Sequence, residues 1–183
     1  SMHGLYNDNS TSQMLLENNL VYNVRDGGYK LGSDKDNLVR NNVFVAVPRQ
    51  SSRYDNPLMF CMYYPVEIHL AATLERNILC GSAGKLMSVP AAFGDRLQFR
   101  NNLYWDPARV PLDFVGKTFA EWQKLGRDPG SVVADPKFVD PARHDFRLQP
   151  GSPALALGFV PFDVTQAGVY GDAQWIRKAA EVQ

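Results

Sequence analysis

Two aspartates in polar turns, Asp8 and Asp34, lie 26 residues apart in a sequence of 183. Glycoside hydrolysis uses two carboxyl groups, about 5 Å apart in retaining enzymes and farther apart in inverting ones. Neighbouring strands of a parallel sheet lie about 4.8 Å apart. Two carboxylates at matching positions of neighbouring strands would therefore lie at about the separation that a retaining enzyme needs. Lysine is one of the side chains that can act as a general base, and Lys30 lies between the two aspartates in the sequence. Asp8, Asp34 and Lys30 are therefore the predicted catalytic residues.

Five further residues are predicted to bind the substrate. Asp26 and Asp36 stand in the same kind of turn, and the ring of Tyr29 is suited to stacking on a sugar. Glu67 and His69 alternate with apolar residues, so they share the solvent face of one strand. A plainer interpretation stays open: aspartates in turns rich in Asn and Gly often only hydrogen-bond the turn. Glu67 and His69 would then form no more than a solvated strand face.

The polar turns Asn7–Asn9 and Asp34–Asn37 are also candidates for binding Ca²⁺. This ion takes carboxylate and amide oxygens as ligands. Both turns lack the complete EF-hand pattern and its glutamate. No residue is therefore assigned as a metal ligand, and Ca²⁺ is the one candidate cofactor.

A short segment that occurs four times indicates the elements that position these residues. The first copy is Leu15–Tyr22, and each copy has an apolar start, charged or amide residues and an apolar end. The second amide of each copy serves as a marker, and successive markers are 23, 35 and 25 residues apart. Self-similarity at such periods is the signature of a solenoid. The markers are Asn19, Asn42, Asn77 and Asn102.

The repeat predicts strands, because each copy is short, rich in β-branched and aromatic residues and flanked by turn residues. A coil of about 23–25 residues is too short for a strand–helix–strand unit of about 30. At a bend between two sheets, Asn supplies a donor and an acceptor and tolerates left-handed backbone. Stacked asparagines are therefore predicted along the axis, with Pro48–Pro57 as a surface insertion. The alternative, unrelated hairpin turns, leaves the shared flanking residues unexplained.

The Asn-Asn-apolar repeats resemble those of the right-handed parallel β-helix, the fold of pectate-lyase-like proteins. Val133–Asp140 and Asp145–Ala154 are similar to the closing segment of many secreted bacterial β-helix proteins. The resemblance implies an all-β, right-handed parallel β-helix of about four to five coils. It also implies a secreted or periplasmic location.

β-helix proteins of this kind mostly handle polysaccharides. The resemblance therefore implies a glycoside hydrolase or polysaccharide lyase, or the C-terminal part of one, with a polysaccharide or oligosaccharide as partner. One fold hosts many functions, so a non-catalytic carbohydrate-binding or assembly module is the alternative. The enzyme needs converging carboxylates, whereas the binding module needs an exposed aromatic strip. The chain departs from the β-helix proteins that it resembles at Lys30–Ser33, where they often carry histidines.

The repeat stops after Trp105, and this divides the chain in two. Residues 1–106 are predicted to form the coils, and residues 107–183 the C-terminal closing segment of the same domain. A short helix over Thr118–Leu125 is predicted to pack on the flank of the sheets, with Thr118 and Glu121 as a capping box. A second helix is predicted over Trp175–Val182.

Composition narrows the classes of partner. Lys plus Arg and Asp plus Glu each number 19, and no basic stripe predicts nucleic-acid binding. No apolar run approaches the roughly 20 residues of a membrane span. Cys61 and Cys80 stand in apolar runs and are expected to be buried thiols, with a disulfide left open. Because the repeat begins at Leu15 without a preceding cap, the open end predicts self-association or missing N-terminal coils.

Overall fold

A computed structural model describes residues 3–8, 10–24, 27–32, 34–46, 59–61, 69–81, 86–89, 96–168 and 171–181. Three α-helices lie in the C-terminal part, at Phe119–Lys124 (α1), Pro153–Ala156 (α2) and Ala173–Ala180 (α3). The strands are β1 (Leu5–Tyr6), β2 (Leu15–Glu17), β3 (Leu20–Tyr22), β4 (Tyr29–Leu31), β5 (Asn37–Arg40), β6 (Val43–Val45), β7 (Met59–Cys61), β8 (Ala72–Glu75), β9 (Ile78–Cys80), β10 (Met87–Ser88), β11 (Leu97–Arg100), β12 (Leu103–Trp105), β13 (Val132–Val133), β14 (Phe138–Asp140) and β15 (Asp145–Leu148).

The first twelve strands wind into a parallel β-solenoid of about four turns, which confirms the predicted fold class. Each turn contributes one strand to each of three parallel sheets. The first sheet has the order β1-β4-β7-β10, the second β2-β5-β8-β11, and the third β3-β6-β9-β12-β13. β14 and β15 form a separate antiparallel pair.

The marker asparagines form the predicted ladder at the corner between the second and third sheets. Each side-chain amide donates to the Oδ1 of the next marker, over 2.8 Å from Asn19 to Asn42, 3.0 Å from Asn42 to Asn77, and 3.1 Å from Asn77 to Asn102. Each Oδ1 also accepts the backbone N–H of the preceding marker. The ladder therefore satisfies the backbone where it leaves the sheets.

The residue before each marker has left-handed backbone, with φ between 52° and 58°. Asparagine tolerates this conformation better than most residues. The asparagine pair therefore has two separate roles: the first residue makes the corner, and the second hydrogen-bonds along the stack. The corner residues are Asn18, Asn41, Arg76 and Asn101.

The inner core is built from the side chains that point inward, at alternate positions along the strands of all three sheets. In the second sheet Leu16, Val39, Leu74 and Phe99 are in register, and the last three are buried. In the third sheet the inward residues of successive turns are Val21, Phe44, Leu79 and Tyr104.

The third sheet is buried on both faces. Its outward residues Val43, Ile78 and Leu103 pack in a second cluster with Phe138, Phe146, Ala154 and Phe159 of the C-terminal segment. A strand that is covered on both faces has apolar residues at successive positions. This explains why polar and apolar residues do not alternate along the strands of the third sheet. Cys80 lies in this second cluster as a buried free thiol, as predicted for it. The side chain of Cys61 lies outside the described residues.

The helix α1 closes the C-terminal end of the inner core. The predicted capping box is present, because Thr118 Oγ1 accepts from Glu121 N and Glu121 Oε2 accepts from Thr118 N. Trp122 and Phe114 join the inner core, with ring contacts to Phe99 and Tyr104 of the last turn. The helix therefore covers the end of the solenoid, whereas the sequence predicted packing on a flank. The amphipathic pattern fixes which side of a helix is apolar but not which surface receives it.

Candidate functional site

The carboxyl group of Asp34 is buried at the edge of the first sheet. Its side chain lies in the turn after β4, and the residue is 2% exposed. Asp34 Oδ2 accepts a hydrogen bond of 3.2 Å from the Asn7 amide and one of 3.5 Å from the Tyr29 hydroxyl. Asp34 Oδ1 is buried and accepts no hydrogen bond from the described residues. Burial raises the pKa of this carboxyl above its ordinary value, and the Asn7 amide opposes the shift.

His69 joins the same place from the next turn. Its Nε2 lies 3.2 Å from the backbone carbonyl oxygen of Asp34, a hydrogen bond when Nε2 carries the proton. The structure thus brings together three of the predicted site residues, Tyr29, Asp34 and His69. Asn7 completes the group. The sequence predicted for it only a place in a turn that could bind Ca²⁺.

The remaining predicted residues are placed differently. Asp8 is exposed, and its carbonyl oxygen accepts from the Thr11 hydroxyl at 2.7 Å. Lys30 is buried, with Nζ 4.2 Å from the centre of the Tyr6 ring. It follows Tyr29 in β4, so the two side chains leave opposite faces of the strand. Asp36 is exposed and has a φ of 54° in its turn. Asp26 and Glu67 lie outside the described residues.

A second buried carboxyl stands at the far end of the stack and serves as an internal comparison. Asp128 is also 2% exposed. Its Oδ2 accepts from the Tyr104 hydroxyl at 2.5 Å, and its Oδ1 accepts from the Ser131 hydroxyl and from the Asn102 amide. Burial raises the pKa of this carboxyl too. Both oxygens of Asp128 are satisfied, so the group ends the asparagine ladder as a structural element.

A groove that the sequence did not predict lies outside the third sheet. It has a volume of about 690 Å³ and runs between the first turns of the solenoid, β15 and the segment before α3. Its apolar lining is Leu20, Val43, Phe146, Leu148, Phe159, Pro161, Phe162 and Val164. Its polar lining is Arg143, His144, Asp145, Arg147, Asp163 and Thr165.

Aromatic rings lie at one side of this groove. Tyr22 contacts His144 and Phe146, with ring centres 4.8 Å and 5.3 Å apart. The rings of His144 and Phe146 are stacked at 6.3 Å. Tyr22 and His144 are exposed, so the groove carries an aromatic edge that solutes can reach.

The carboxylates of the groove are held in their ionised form. Hydrogen bonds of 2.8 Å and 2.5 Å from Arg147 lower the pKa of Asp145. The hydroxyl and amide of Thr165 lower the pKa of Asp163. A general acid needs a carboxyl that stays protonated near neutral pH. These two aspartates are therefore suited to accept hydrogen bonds from a ligand and unsuited to give it a proton.

The groove exists because the chain returns to the early turns of the solenoid. Val160 N donates to Asn41 Oδ1, and Asn41 Nδ2 donates to Val160 O, both over 2.7 Å. These partners are 119 residues apart in the sequence. In the sequence, the polar residues within Arg143–Arg147 were the available signal for this groove. No local sequence pattern connects them with Leu20 or Thr165.

No family model, curated protein or solved structure matches this chain. Only the geometry of the described residues therefore bears on its function. Among those residues, no group of three or more His, Cys, Asp or Glu side chains is placed to hold a metal ion. None of the described helices is long and apolar enough to cross a membrane.

Proposed function

We propose that this chain is a carbohydrate-binding β-solenoid whose ligand occupies the groove outside the third sheet. The main support for this proposal is that aromatic rings and ionised, hydrogen-bonding side chains line one cavity of about 690 Å³. Sugar rings offer apolar faces for stacking and hydroxyls for hydrogen bonding, and binding sites combine the same two elements. The resemblance to pectate-lyase-like proteins and a secreted or periplasmic location belong to the same proposal.

A glycan panel tests the proposal by titration against the intact chain. We expect His144→Ala and Phe162→Ala each to weaken binding of the preferred saccharide about tenfold, equivalent to about 1.4 kcal/mol. His144 stands at the exposed aromatic edge, and Phe162 packs against Phe159 in the lining. Val139→Ala is the control, because Val139 is an exposed apolar residue of β14 outside the groove lining. Saccharide binding that all three variants retain would refute the groove as the site.

The second candidate is a glycoside hydrolase or polysaccharide lyase that uses Asp34. The observation in its favour is the buried Oδ1 of Asp34, which accepts no hydrogen bond from the described residues and lies next to Tyr29 and near His69. A carboxyl with a raised pKa is the type that acts as a general acid. Catalysis at this position also requires the surface above Asp34 to open, because the residue is almost fully buried.

Product release from the same glycans, with and without Ca²⁺, tests this second candidate. Asp34→Asn would abolish cleavage if Asp34 is the acid. Asp128→Asn is the matched control, since Asp128 is equally buried and also bonded to a tyrosine. Cleavage that survives Asp34→Asn, or that both variants lose together with their fold, would count against a catalytic Asp34.

A further inference from the structure

The second and third sheets end at different turns of the solenoid. The third sheet continues past the fourth turn to β13, whereas β11 is the last of the described strands in the second sheet. At this end of the second sheet the chain leaves α1 and returns through Leu125–Pro129 to the corner, where Asn101 N donates to Pro129 O over 3.0 Å. β11 is therefore an edge strand, and such an edge offers its backbone groups to a further strand.

A cavity of about 360 Å³ lies along this edge. All four residues of β11 line it, and the rest of its lining is Leu125–Pro129. Both stretches belong to the described part of the chain. A strand of four residues is about 13 Å long, so the cavity follows an edge that can pair with several residues of an extended peptide.

The main chain of β11 directs N–H groups away from β8. In the second turn, Asn37 N donates to the following turn, whereas Leu38 N donates to the preceding one. Leu97 has the register position of Asn37. Successive N–H groups of a strand point to opposite neighbours, so the N–H groups of Leu97 and Phe99 point toward the position that the next strand of the sheet would take.

The asparagine ladder shows that a repeated hydrogen bond stops at Phe99. In the earlier turns, the carbonyl oxygen of one inward residue accepts the marker amide of the following turn. These bonds join Leu16 O to Asn42, Val39 O to Asn77, and Leu74 O to Asn102, over 2.9 Å, 3.0 Å and 2.9 Å. Phe99 is next in register, and Ser131 takes the following marker place, because its Oγ accepts from Asn102 N. The single hydroxyl proton of Ser131 goes to Asp128, so Ser131 supplies no donor to Phe99 O.

The charges on the outer face of the second sheet indicate what an added strand should carry. A row of four residues in register alternates in sign: Glu17, Arg40, Glu75 and Arg100. Arg40 Nε contacts Glu17 Oε2 at 2.7 Å, and Arg100 Nη2 contacts Glu75 Oε2 at 2.6 Å. Arg100 ends the row, and its side chain is half exposed. The next position, about 4.8 Å farther along the stack, therefore favours an acidic residue.

A second arginine gives the cavity the same preference. Arg127 lines it, with its guanidinium carbon 5.4 Å from the centre of the Trp122 ring. The carboxyl group in the lining is that of Asp128, which is 2% exposed and bonded to the hydroxyls of Tyr104 and Ser131. The accessible charge of the cavity is therefore cationic.

We propose that β11 receives an extended, acidic peptide of a partner protein as a further strand of the second sheet. An N–H of the peptide bonds to Phe99 O, its carbonyl oxygens accept from Leu97 N and Phe99 N, and its carboxylates lie against Arg100 and Arg127. In strand addition of this kind, the main chain provides affinity and the side chains provide specificity. The site is separate from the saccharide groove, because the two linings share no residue.

An end-capped octapeptide of alternating valine and glutamate, labelled for fluorescence anisotropy, is the probe. We expect saturable binding to the intact chain at neutral pH, and binding of the corresponding valine–lysine peptide about tenfold weaker or less. Arg127→Gln should weaken binding of the valine–glutamate peptide about tenfold, because it removes one of two cations in the cavity. Arg177→Gln is the control, because Arg177 is exposed on α3 and lies outside the cavity lining.

Backbone pairing is tested separately from charge attraction. The same peptide N-methylated at every residue keeps its charges and loses its backbone donors, so it should not bind. Amide hydrogen exchange gives a second measure. The unmodified peptide should slow exchange at Leu97 and Phe99, and should change it less at Gln98 and Arg100, whose N–H groups point toward β8.

Four results would overturn the inference. The first is that the valine–glutamate peptide does not bind, or that the lysine peptide binds equally well. The second is binding that Arg127→Gln leaves unchanged. The third is equal binding of the N-methylated peptide with displacement of both by sulfate, which would indicate a site for small anions only. The fourth is a dimer in sedimentation whose Leu97 and Phe99 amides are protected without peptide, since the edge would then pair with a second copy.

Discussion

Asn77 is an interior residue of the asparagine ladder. Its side chain is buried and makes four hydrogen bonds, to Asn42 twice, to Val39 and to Asn102. We expect Asn77→Ala to lower the free energy of unfolding by about 3 kcal/mol, since it leaves buried groups on both sides unsatisfied. Asn19→Ala, at the end of the ladder, should cost about 1 kcal/mol. Urea denaturation of both variants measures the difference, and equal losses would contradict the ladder as the main support of the corner.

The raised pKa of Asp34 makes a prediction about pH. The folded state holds the proton more tightly than the unfolded state, so this group lowers stability as pH rises above about 4, the ordinary pKa of aspartate. The stability of Asp34→Asn relative to the natural chain should therefore increase from pH 4 to pH 7. Asp163→Asn should change in the opposite direction, mainly below about pH 4, because hydrogen bonds from Thr165 lower the pKa of that carboxyl in the folded state. Urea denaturation from about pH 3 to pH 7 measures both slopes, and a flat difference for Asp34→Asn above pH 4 would show that its carboxyl is not desolvated.

Sequence reasoning at the residue scale succeeded where the pattern repeats. The marker asparagines were identifiable because each turn needs the same two amide bonds, so the same residue type recurs once in every turn. The burial of Asp34 was not predictable. Asp8 and Asp34 share similar polar neighbours in the sequence, but Asp8 is exposed, whereas Asp34 is buried with its carboxyl against the Asn7 and Tyr29 side chains.

The segment around Val160 is the element that forms the groove, and Asn41 holds it through two hydrogen bonds of 2.7 Å. We expect Asn41→Ala to release this segment, raise amide hydrogen exchange over residues 158–166 and weaken saccharide binding. Asn18→Ala is the control, because Asn18 has the same left-handed backbone and, among the described residues, its side chain bonds to Asn41 and not to the segment around Val160. Hydrogen exchange and ligand titration measure the outcome. Exchange that rises equally in both variants would contradict a specific role for Asn41.

Elements were predictable where local residues determine them. The capping box at Thr118 and Glu121 identified α1, and the four repeats identified the strands of the second and third sheets through β12. The surfaces against which α1 and the C-terminal segment pack depend on contacts between residues that are far apart in the sequence. Trp122 reaches an inner core built from every turn, and Val160 reaches Asn41. No period in the sequence encodes such a contact.

At the scale of the whole molecule, a parallel solenoid provides a rigid wall, and one C-terminal segment covers its third sheet. That cover buries the apolar outer face and leaves one groove against the early turns. The same segment continues beyond the groove to α3. The buried carboxyls Asp34 and Asp128 lie in the turns of the solenoid itself and do not line the groove.

A crystal structure of the intact chain with its preferred saccharide tests the central claim most directly. We predict that a sugar ring lies in the groove, against the aromatic edge of His144 and Phe146, with its hydroxyls near Asp145 or Asp163. Saccharide bound instead over Asp34 and His69, with the groove empty, would contradict the binding proposal and favour the enzymatic one.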